Sequence, residues 1–427
     1  MSGSVTAEEF GPGWQKKFFT IWGGQALSLV GSALVQFALV WWLTVRTGSA
    51  TILATATLMA LLPQIVLGPF AGTLVDRWNR RTIMIVADTC IALATAVLMF
   101  LFATERIAVW HVYLLLLVRS LGGAFHYPAM AASTSLMVPG KHLARVAGMN
   151  QTLQGIVSIF APPLGALLLA VMPTQNVLAI DVGTALVAVV PLLFIAIPQP
   201  ERRKDRATGL VEKTSYWHEL REGFRYVLRW PGLLGLILLA MMLNFLLTPT
   251  GALTPLVVTK VFQKGAAELG WVEAVFGGGT ILGGLLLSVW GGFKRRIVSS
   301  MAGVIGVGLG VLLFGLVPAN LFFLLLVAAL LQGFAIVFAN GPLHAIFQST
   351  IAPDFQGRVF SMIGAGAAAM SPLGLLIAGP FADRLGIQTW YIIAGTICVL
   401  AALAAGFIPA IMNIERNHIG AEGVPAA

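Results

Sequence analysis

The chain has 427 residues, of which 58% are hydrophobic and only 10% are charged, and its mean hydropathy is +0.89. Soluble domains carry charged residues at roughly a quarter of their positions, so this composition excludes a soluble globular protein. The apolar residues stand in runs of about twenty, long enough for a helix to cross the hydrocarbon core of a bilayer. The sequence therefore predicts a polytopic membrane protein.

The net charge of +9 would fit a nucleic-acid-binding protein, but the positions of the basic residues favour another explanation. Of the 26 Lys and Arg residues, 20 fall on one side of the predicted spans, five fall on the other, and Arg119 lies inside an apolar run. Because basic loops stay in the cytoplasm, we expect an inner-membrane protein with both termini cytoplasmic. We expect no nucleic-acid partner.

In chain order the apolar runs predict twelve spans, at 18–44, 50–74, 82–103, 107–135, 144–171, 177–197, 231–258, 268–293, 297–317, 321–347, 357–382 and 388–411. Backbone polar groups in lipid need partners within their own segment, so the expected fold is all-α. The expected parts are a cytoplasmic segment at 1–17, a six-helix bundle at 18–197, a cytoplasmic linker at 198–230, a second six-helix bundle at 231–412 and a cytoplasmic tail at 413–427.

The linker begins with the charge run ERRKDR at 201–206 and ends with TSYWHELREGFRYVLRW at 214–230. One face of a helix over the second segment would carry apolar residues and another would carry arginines at every fourth position. The apolar face comprises Trp217, Leu220, Phe224, Val227 and Leu228, and the basic face comprises Arg221, Arg225 and Arg229. This pattern predicts an amphipathic helix, either on the anionic inner leaflet or as a hinge between the bundles.

Three segments of the first predicted bundle recur in the second, which indicates an internal repeat. VPGKHLARV at 138–146 resembles IAPDFQGRV at 351–359, and Arg358 follows Arg145 by 213 residues. PLG at 163–165 recurs 209 residues later at 372–374, and Arg81 and Arg296 end two basic motifs 215 residues apart. Two related halves of parallel orientation are an arrangement found in secondary transporters.

The motif GTLVDRWNRR at 72–81 concentrates charge between two apolar runs. It resembles the loop signature of the major facilitator superfamily, Gly-x-x-x-Asp-Arg-x-Gly-Arg-Arg/Lys. VRSLGGAF at 118–125 resembles a signature of the drug–proton antiporters of that superfamily. FFTIWGGQALSL, LTVRTGSA, RSLGGAFHYPA and FADRLG are similar to the macrolide-efflux (Mef-type) branch, and the likeness spans nearly the whole chain.

A conformational latch is the expected role of the motif residues Gly72, Asp76, Arg77, Arg80 and Arg81. Gly72 would allow two helices to approach closely. Asp76 would accept hydrogen bonds from the free N–H groups at the start of the eleventh span, near 357–359, or else pair with an arginine of its own loop. Asn79 replaces the second glycine of the signature, which predicts a left-handed turn there.

Ionisable residues inside the predicted spans are costly in lipid and therefore indicate function. The candidates for proton coupling are Asp88, Arg119, His126, Asp181 and Glu273. Asp88 and Arg119 lie at similar predicted depths, so Asp88 is a candidate counter-ion, with backbone carbonyls and Gln side chains as the alternative. Asp181 and Glu273 could carry a proton or merely meet water at the interface. His126 could relay protons or only pack.

By resemblance, spans 1, 4, 7 and 10 line a central cavity. The expected pocket residues are Gln25, Gln36, Arg119, Met241, Asn244, Phe245, Gln332, Phe338 and Asn340. Met-rich surfaces adapt to varied ligands, although Met and Phe at these positions could equally face lipid or the core.

The sequence has no phosphate-binding GxxxxGK[ST] loop, no metal-ligand cluster and no nucleophile–base arrangement, so we expect no enzyme, no metal and no cofactor. The favoured hypothesis is a monomeric, proton-coupled exporter of amphiphilic, macrolide-like drugs that works by alternating access, with membrane lipid around it. An ATPase partner is not readable from the sequence. The alternatives are export of a self-made metabolite or siderophore, and a sensor or lipid scramblase on the same fold.

Overall fold

The structure is a computed structural model that describes residues 13–199, 224–351 and 353–415, without the side chains at 69, 73, 76, 353, 354, 357 and 358. Besides a helical stretch at 224–229, where the second described range begins, the chain forms twelve long helices and one short one over these residues. They are α1 (Trp14–Thr47), α2 (Ala50–Arg77), α3 (Arg80–Ala103), α4 (Val109–Met137), α5 (Gly140–Val171), α6 (Thr174–Phe194), α7 (Pro231–Leu256, continued by a π-helical turn at Val257–Val261), α8 (Ala266–Trp290), α9 (Arg296–Leu316), α10 (Phe322–Thr350), α11 (Pro353–Leu385), α12 (Ile387–Gly406) and α13 (Pro409–Met412).

The all-α prediction is confirmed, since the described ranges hold helices and no strand. Eleven of the long helices are apolar enough to cross a membrane, and the remaining one is α4, whose apolar run is broken by Arg119 and two histidines. Nearly every helix end lies within four residues of its prediction. The last long helix ends five residues early, at Gly406, because Pro409 begins the separate helix α13.

Two compact units divide the described residues. Unit 1 holds 13–48, 55–199 and 265–270, and unit 2 holds 49–54, 224–264, 271–351 and 353–415. The first residues of α2 therefore belong to unit 2, and the first residues of α8 belong to unit 1. The boundaries at 197, 231 and 412 stay a prediction.

The internal repeat is visible in the positions at which the helices begin. α3 begins at residue 80 and α9 at 296, an offset of 216, and α5 and α11 begin at 140 and 353, an offset of 213. All six pairs have offsets between 213 and 217. The basic motifs are thus aligned one residue differently from the prediction, with Arg80 equivalent to Arg296. The two PLG segments are 209 residues apart, about one helical turn less than the offset between the helix starts, so they do not occupy equivalent positions in the two halves.

Close helix contacts in unit 1 depend on glycines of α1. A Cβ atom at Gly24 would lie 2.9 Å from the carbonyl oxygen of Val187 on α6. A Cβ atom at Gly31 would lie 3.2 Å from the Cα atom of Asp181. These two glycines let the backbones of α1 and α6 touch, as small residues do between membrane helices.

In unit 2 the same device joins α8 to α10. A Cβ atom at Gly279 would stand 2.4 Å from the carbonyl oxygen of Leu330, and one at Gly283 would stand 2.5 Å from that of Phe334. From the other side, a Cβ atom at Gly333 would stand 1.9 Å from the carbonyl oxygen of Phe276. No side chain larger than hydrogen fits at these positions unless the helices separate.

Residues 224–229, the described end of the predicted linker helix, are helical. Tyr226, Val227 and Trp230 are buried in the core of unit 2, and the Tyr226 ring stacks on Phe355 with centroids 4.7 Å apart. Phe224 and Leu228, predicted on the same apolar face as Val227, are about half exposed. The buried face is therefore displaced from the predicted one, and residues 214–223 lie outside the described residues.

We predict that Gly279→Ala lowers the stability of the protein, because the new methyl group must displace the backbone of α10, at a cost of about 1–3 kcal/mol. Gly278→Ala is the matched control, since a Cβ atom at Gly278 meets no atom within 4 Å. Thermal unfolding of both variants in detergent checks this. Equal melting temperatures would show that the contact at Gly279 is unimportant.

Candidate functional site

The basic motif fastens the ends of helices within unit 1. The guanidinium of Arg81 donates to the carbonyl oxygens of Leu192 and Leu193, in the last turn of α6, where backbone carbonyls lack helical partners. Arg80, which is buried, donates from Nη1 to the carbonyl oxygen of Ala132 on α4 at 3.0 Å. The charges at 80 and 81 therefore hold α3 to the ends of two neighbouring helices.

Asn79 does not form the predicted left-handed turn. Its φ and ψ are −70° and 112°, an extended conformation, and its side-chain oxygen accepts from the backbone N–H of Thr82 at 3.2 Å. Asn79 is thus the N-cap of α3, a position that favours Asn strongly and needs no positive φ.

The latch stays a prediction, because the Asp76 side chain lies outside the described side chains. One expectation about the motif is wrong in this structure. A Cβ atom at Gly72 would meet no atom within 4 Å, so Gly72 is not at a close helix contact among the described residues. Arg77 is exposed.

Unit 2 repeats the fastening at its equivalent position. The backbone N–H of Arg80 donates to Oε1 of Gln199 at 3.3 Å, and that of Arg296 donates to Oε1 of Glu415 at 3.3 Å. Both the donors and the acceptors are 216 residues apart. The start of α9 is therefore capped by a carboxylate where the start of α3 is capped by an amide, and the carboxylate suits the positive end of the helix dipole.

A buried ion pair joins four helices of unit 1. Nη1 of Arg119 on α4 lies 2.8 Å from Oδ2 of Asp181 on α6, and Nη2 donates to the carbonyl oxygen of Ser32 on α1 at 3.1 Å. The Ser32 hydroxyl donates to Oδ1 of Asp181 at 3.1 Å. The Thr95 hydroxyl of α3 lies 3.2 Å from Oδ2 and shares its single proton with the carbonyl oxygen of Ile91. The Asp181 side chain is only 2% exposed.

The prediction that Asp88 is the counter-ion of Arg119 is wrong, and so is the interfacial, water-contacting interpretation of Asp181. The predicted depths in the membrane did not show which of the two carboxylates pairs with Arg119. Long side chains on a helix lean toward its N-terminus, which for α4 is the end near Asp181. Arg119 therefore meets Asp181 rather than Asp88.

Asp88 lies in a second polar cluster of unit 1. Its Oδ2 accepts from Nε2 of Gln25 at 2.9 Å. Its Oδ1 lies 3.3 Å from Nε2 of His126, but that imidazole nitrogen makes no hydrogen bond among the described residues. His126 gains a full charge partner only when it is protonated. Asp88, unlike Asp181, thus has one oxygen that is only loosely held.

Glu273 lies apart from both clusters, on α8 in unit 2, and is half-buried. Of the five candidates for proton coupling, four fall into two clusters in unit 1, and Glu273 is the one in unit 2.

A cavity of about 250 Å³ opens in unit 2 between α7, α9 and α10. The wall of the cavity is mostly aliphatic and carries a few polar groups. The lining residues are Leu236, Leu239, Ala240, Leu243, Asn244, Leu247, Thr248, Ser300, Met301, Val304, Val307, Ile336, Ala339, Asn340 and Leu343. A mostly apolar wall with a few placed polar groups is typical of a small-molecule site, and this volume approaches that of sites for drug-sized ligands.

Two of the predicted pocket residues, Asn244 and Asn340, line this cavity. Four others lie elsewhere in unit 2. Met241 faces Gly366 of α11, Phe245 lies near Trp390, Gln332 contacts Gly310 of α9, and Phe338 is buried against Trp290. In unit 1, Gln25 donates a hydrogen bond to Asp88, and Gln36 is half-buried on α1.

Sequence reasoning missed Thr248 and Ser300 as cavity residues. Thr248 is one turn after Asn244 on α7, so helical spacing could have found it. Ser300 belongs to α9, which the resemblance did not place at a cavity. Its hydroxyl donates to the carbonyl oxygen of Ala339 at 2.7 Å.

The sequence matches the Major Facilitator Superfamily over residues 21–263 and 248–423. Together with the helical, two-unit fold of the described residues, this shows that the chain belongs to the Major Facilitator Superfamily and is a transporter rather than an enzyme. The chain is 37% identical to Macrolide efflux protein A of Streptococcus pyogenes over 94% of its length and 98% of that protein. It is also 25% identical to the Multidrug efflux pump Tap of Mycolicibacterium fortuitum, over 90% and 94% of the two chains. The predicted Mef-type resemblance is thus confirmed.

Solved structures of other transporters have the same fold. The nucleoside transporter NupG superimposes with a TM-score of 0.70 at 14% identity, covering 91% of this chain and 98% of NupG. The xylose transporter XylE from E. coli, in an inward open conformation, gives a TM-score of 0.64 at 13% identity, covering 91% and 96%. At these identities the likeness concerns the fold alone.

We predict that Asp181→Ala sharply reduces the folded yield and melting temperature, because Arg119 is left as an unpaired buried charge, at a cost of about 3–5 kcal/mol. The double variant Arg119→Met with Asp181→Leu should recover much of that loss, since it removes both charges and keeps volume. Size-exclusion profiles and thermal unfolding in detergent check this. A single variant as stable as the parent would contradict the structural role.

Proposed function

We propose that this protein exports amphiphilic, macrolide-like drugs across the inner membrane in exchange for protons, by alternating access of its two halves. Both termini would be cytoplasmic, one chain would be the working unit, and membrane lipid would surround the apolar helices. The relatives named for macrolide and multidrug efflux support the export of drugs. The fold supports transport driven by a gradient rather than by nucleotide hydrolysis.

The observation that carries the proton step is the unequal binding of two buried carboxylates in unit 1. Asp181 is fixed by Arg119 and the Ser32 hydroxyl, so neutralising it would leave a buried cation without its partner. Asp88 has the neutral donor Gln25 on one oxygen and the unbonded nitrogen of His126 near the other. A proton can therefore enter at Asp88 or His126 without breaking an ion pair, and we assign proton coupling to that cluster.

The cavity of unit 2 is our candidate for a substrate subsite. Its aliphatic wall suits the apolar part of an amphiphile, and Asn244, Thr248 and Asn340 offer hydrogen-bonding groups. One of the two N–H groups of the Asn244 side chain is bonded to the carbonyl oxygen of Ala240 at 2.9 Å, so a ligand could use the side-chain oxygen or the second N–H group. At about 250 Å³ the cavity would hold only part of a large drug.

Accumulation of a labelled macrolide tests the proposal in efflux-deficient cells that express the chain, with and without a protonophore. We expect lowered accumulation, restored by the protonophore, because export is driven by the proton gradient. Unchanged accumulation with the protein present in the membrane would contradict macrolide export. It would leave export of a self-made metabolite or siderophore, a sensor that binds without flux, or a scramblase that equilibrates lipid without a gradient.

We predict that Asp88→Asn abolishes energised efflux yet keeps downhill macrolide flux in de-energised vesicles. Asparagine retains the oxygen that accepts from Gln25 but cannot gain or lose a proton in this range. Glu105→Gln, in the exposed loop between α3 and α4, is the control and should behave like the parent. If Asp88→Asn still concentrated drug against a gradient, the assignment of coupling to Asp88 would fail.

We predict that Ala240→Phe weakens macrolide binding by about tenfold, the order of one lost set of apolar contacts, because the ring occupies the cavity. Leu238→Phe is the matched control, since Leu238 lies two residues earlier on the same helix and is 55% exposed. Equilibrium binding to both purified variants checks this. Equal affinities would show that the drug does not use this cavity.

A further inference from the structure

The first turn of α2 is capped by a carboxylate from the last turn of α11. Oδ1 of Asp383 accepts from the backbone N–H of Ala50 at 2.7 Å, and Oδ2 accepts from that of Thr51 at 2.9 Å. The Ser49 hydroxyl donates to Oδ2 at 2.8 Å, and its oxygen accepts from the backbone N–H of Ile52 at 3.3 Å. Three N–H groups that the helix itself cannot satisfy are therefore all bonded.

Asp383 stands where an acidic residue is unfavourable for its own helix. A negative charge in the last turn opposes the helix dipole, whose C-terminal end is itself negative. The positive start of α2 offsets that cost only while the two helix ends are together. Asp383 is thus unfavourable for the dipole of its own helix. Its position is explained by its contact with the start of α2, which is distant in sequence.

Gly379, one turn before Asp383, makes the approach possible. A Cβ atom there would lie 2.8 Å from the Cα atom of Thr51 and 3.0 Å from Cβ of Ala54. The stretch AGPFADR at 378–384 repeats the pattern of AGTLVDR at 71–77 residue for residue at the alanine, glycine, aspartate and arginine. What the sequence predicts for Gly72, a glycine beside a close helix contact followed by an aspartate that caps a helix start, is found at Gly379.

We propose that Ser49, Ala50, Thr51, Gly379 and Asp383 form a releasable clamp, here called the α2 clamp, which must open during the transport cycle. Two features make release feasible. Asp383 is exposed, so water can replace its hydrogen bonds. The described partners of Asp383 are a neutral hydroxyl and backbone N–H groups, so opening the clamp separates no ion pair among the described residues.

Thiol labelling tests the capping role. Ala50 is 0% exposed, so Ala50→Cys, in a chain with Cys90→Ala and Cys398→Ala, reports opening of the clamp to N-ethylmaleimide in membrane vesicles. Asp383→Ala, which removes both acceptor oxygens, should speed labelling by about two- to thirtyfold, the range that corresponds to loss of a helix N-cap. Glu105→Gln removes an exposed acid elsewhere and should leave the rate unchanged.

Gly379→Ala provides a second disruption that keeps the carboxylate, in case Asp383→Ala does not fold. It should also speed labelling, because the methyl group pushes Thr51 away. If the folded variants were labelled at the parental rate, the clamp would be refuted.

A disulfide lock tests release. In the same cysteine-free background, Ala54→Cys with Gly379→Cys would place two Cβ atoms 3.0 Å apart if nothing moved. A disulfide needs a Cβ–Cβ separation of about 3.5–4.5 Å, so the outward shift that a side chain at 379 imposes brings the pair into range, and the closed bridge then holds α2 against α11. Oxidation should stop macrolide efflux and reduction should restore it. Full efflux with the bridge closed would overturn the requirement for opening. This arm rests on the proposed export, whereas the labelling arm needs no substrate, so failure of the clamp and failure of the function can be told apart.

Discussion

The ion pair between Arg119 and Asp181 is the interaction on which unit 1 depends. Each charge is intolerable alone in an apolar bundle, so the four helices that supply the pair and its hydrogen bonds must keep their places. Gly31 permits this, because only a hydrogen atom leaves room for α1 beside Asp181. The pair also gives the two buried carboxylates of unit 1 different surroundings. Asp181 is committed to Arg119, whereas Asp88 is less constrained and is the carboxylate to which we assign proton coupling.

The two halves share an order of helices but use it differently. Helix starts recur at nearly constant offsets, and even the caps of α3 and α9 are equivalent. In unit 1 the described interior holds the charged clusters. In unit 2 glycines bring backbones into contact, and an aliphatic cavity opens between α7, α9 and α10. The two copies of a duplicated bundle can thus differ, one with buried charges and the other with an aliphatic cavity, without any change of topology.

Charges that look unusual in so apolar a chain recur at helix ends. Arg81 donates hydrogen bonds to the last carbonyl groups of α6. Glu415 accepts hydrogen bonds from the first N–H groups of α9, and Asp383 accepts them from the first N–H groups of α2. Backbone groups at helix ends lack partners within the helix, and near a membrane they cannot rely on water everywhere. A few charged side chains placed at such ends therefore fix helix positions at little cost in hydropathy. Because exposed caps can exchange with water, the same device can also be reversible.

Hydropathy, the positions of basic residues and internal similarity determined the class of protein, the number of helices, most of their ends and the repeat. These are local properties, since a run of apolar residues specifies a span whatever its neighbours are. Which groups meet was decided only by tertiary structure. The sequence could not show that Arg119 leans toward Asp181, that the distant Asp383 joins Ser49 in capping α2, or that Ser300 lines a cavity. Partners in a bundle depend on the lateral order of the helices and on the direction in which each side chain leaves its helix, and neither is written in a single apolar run.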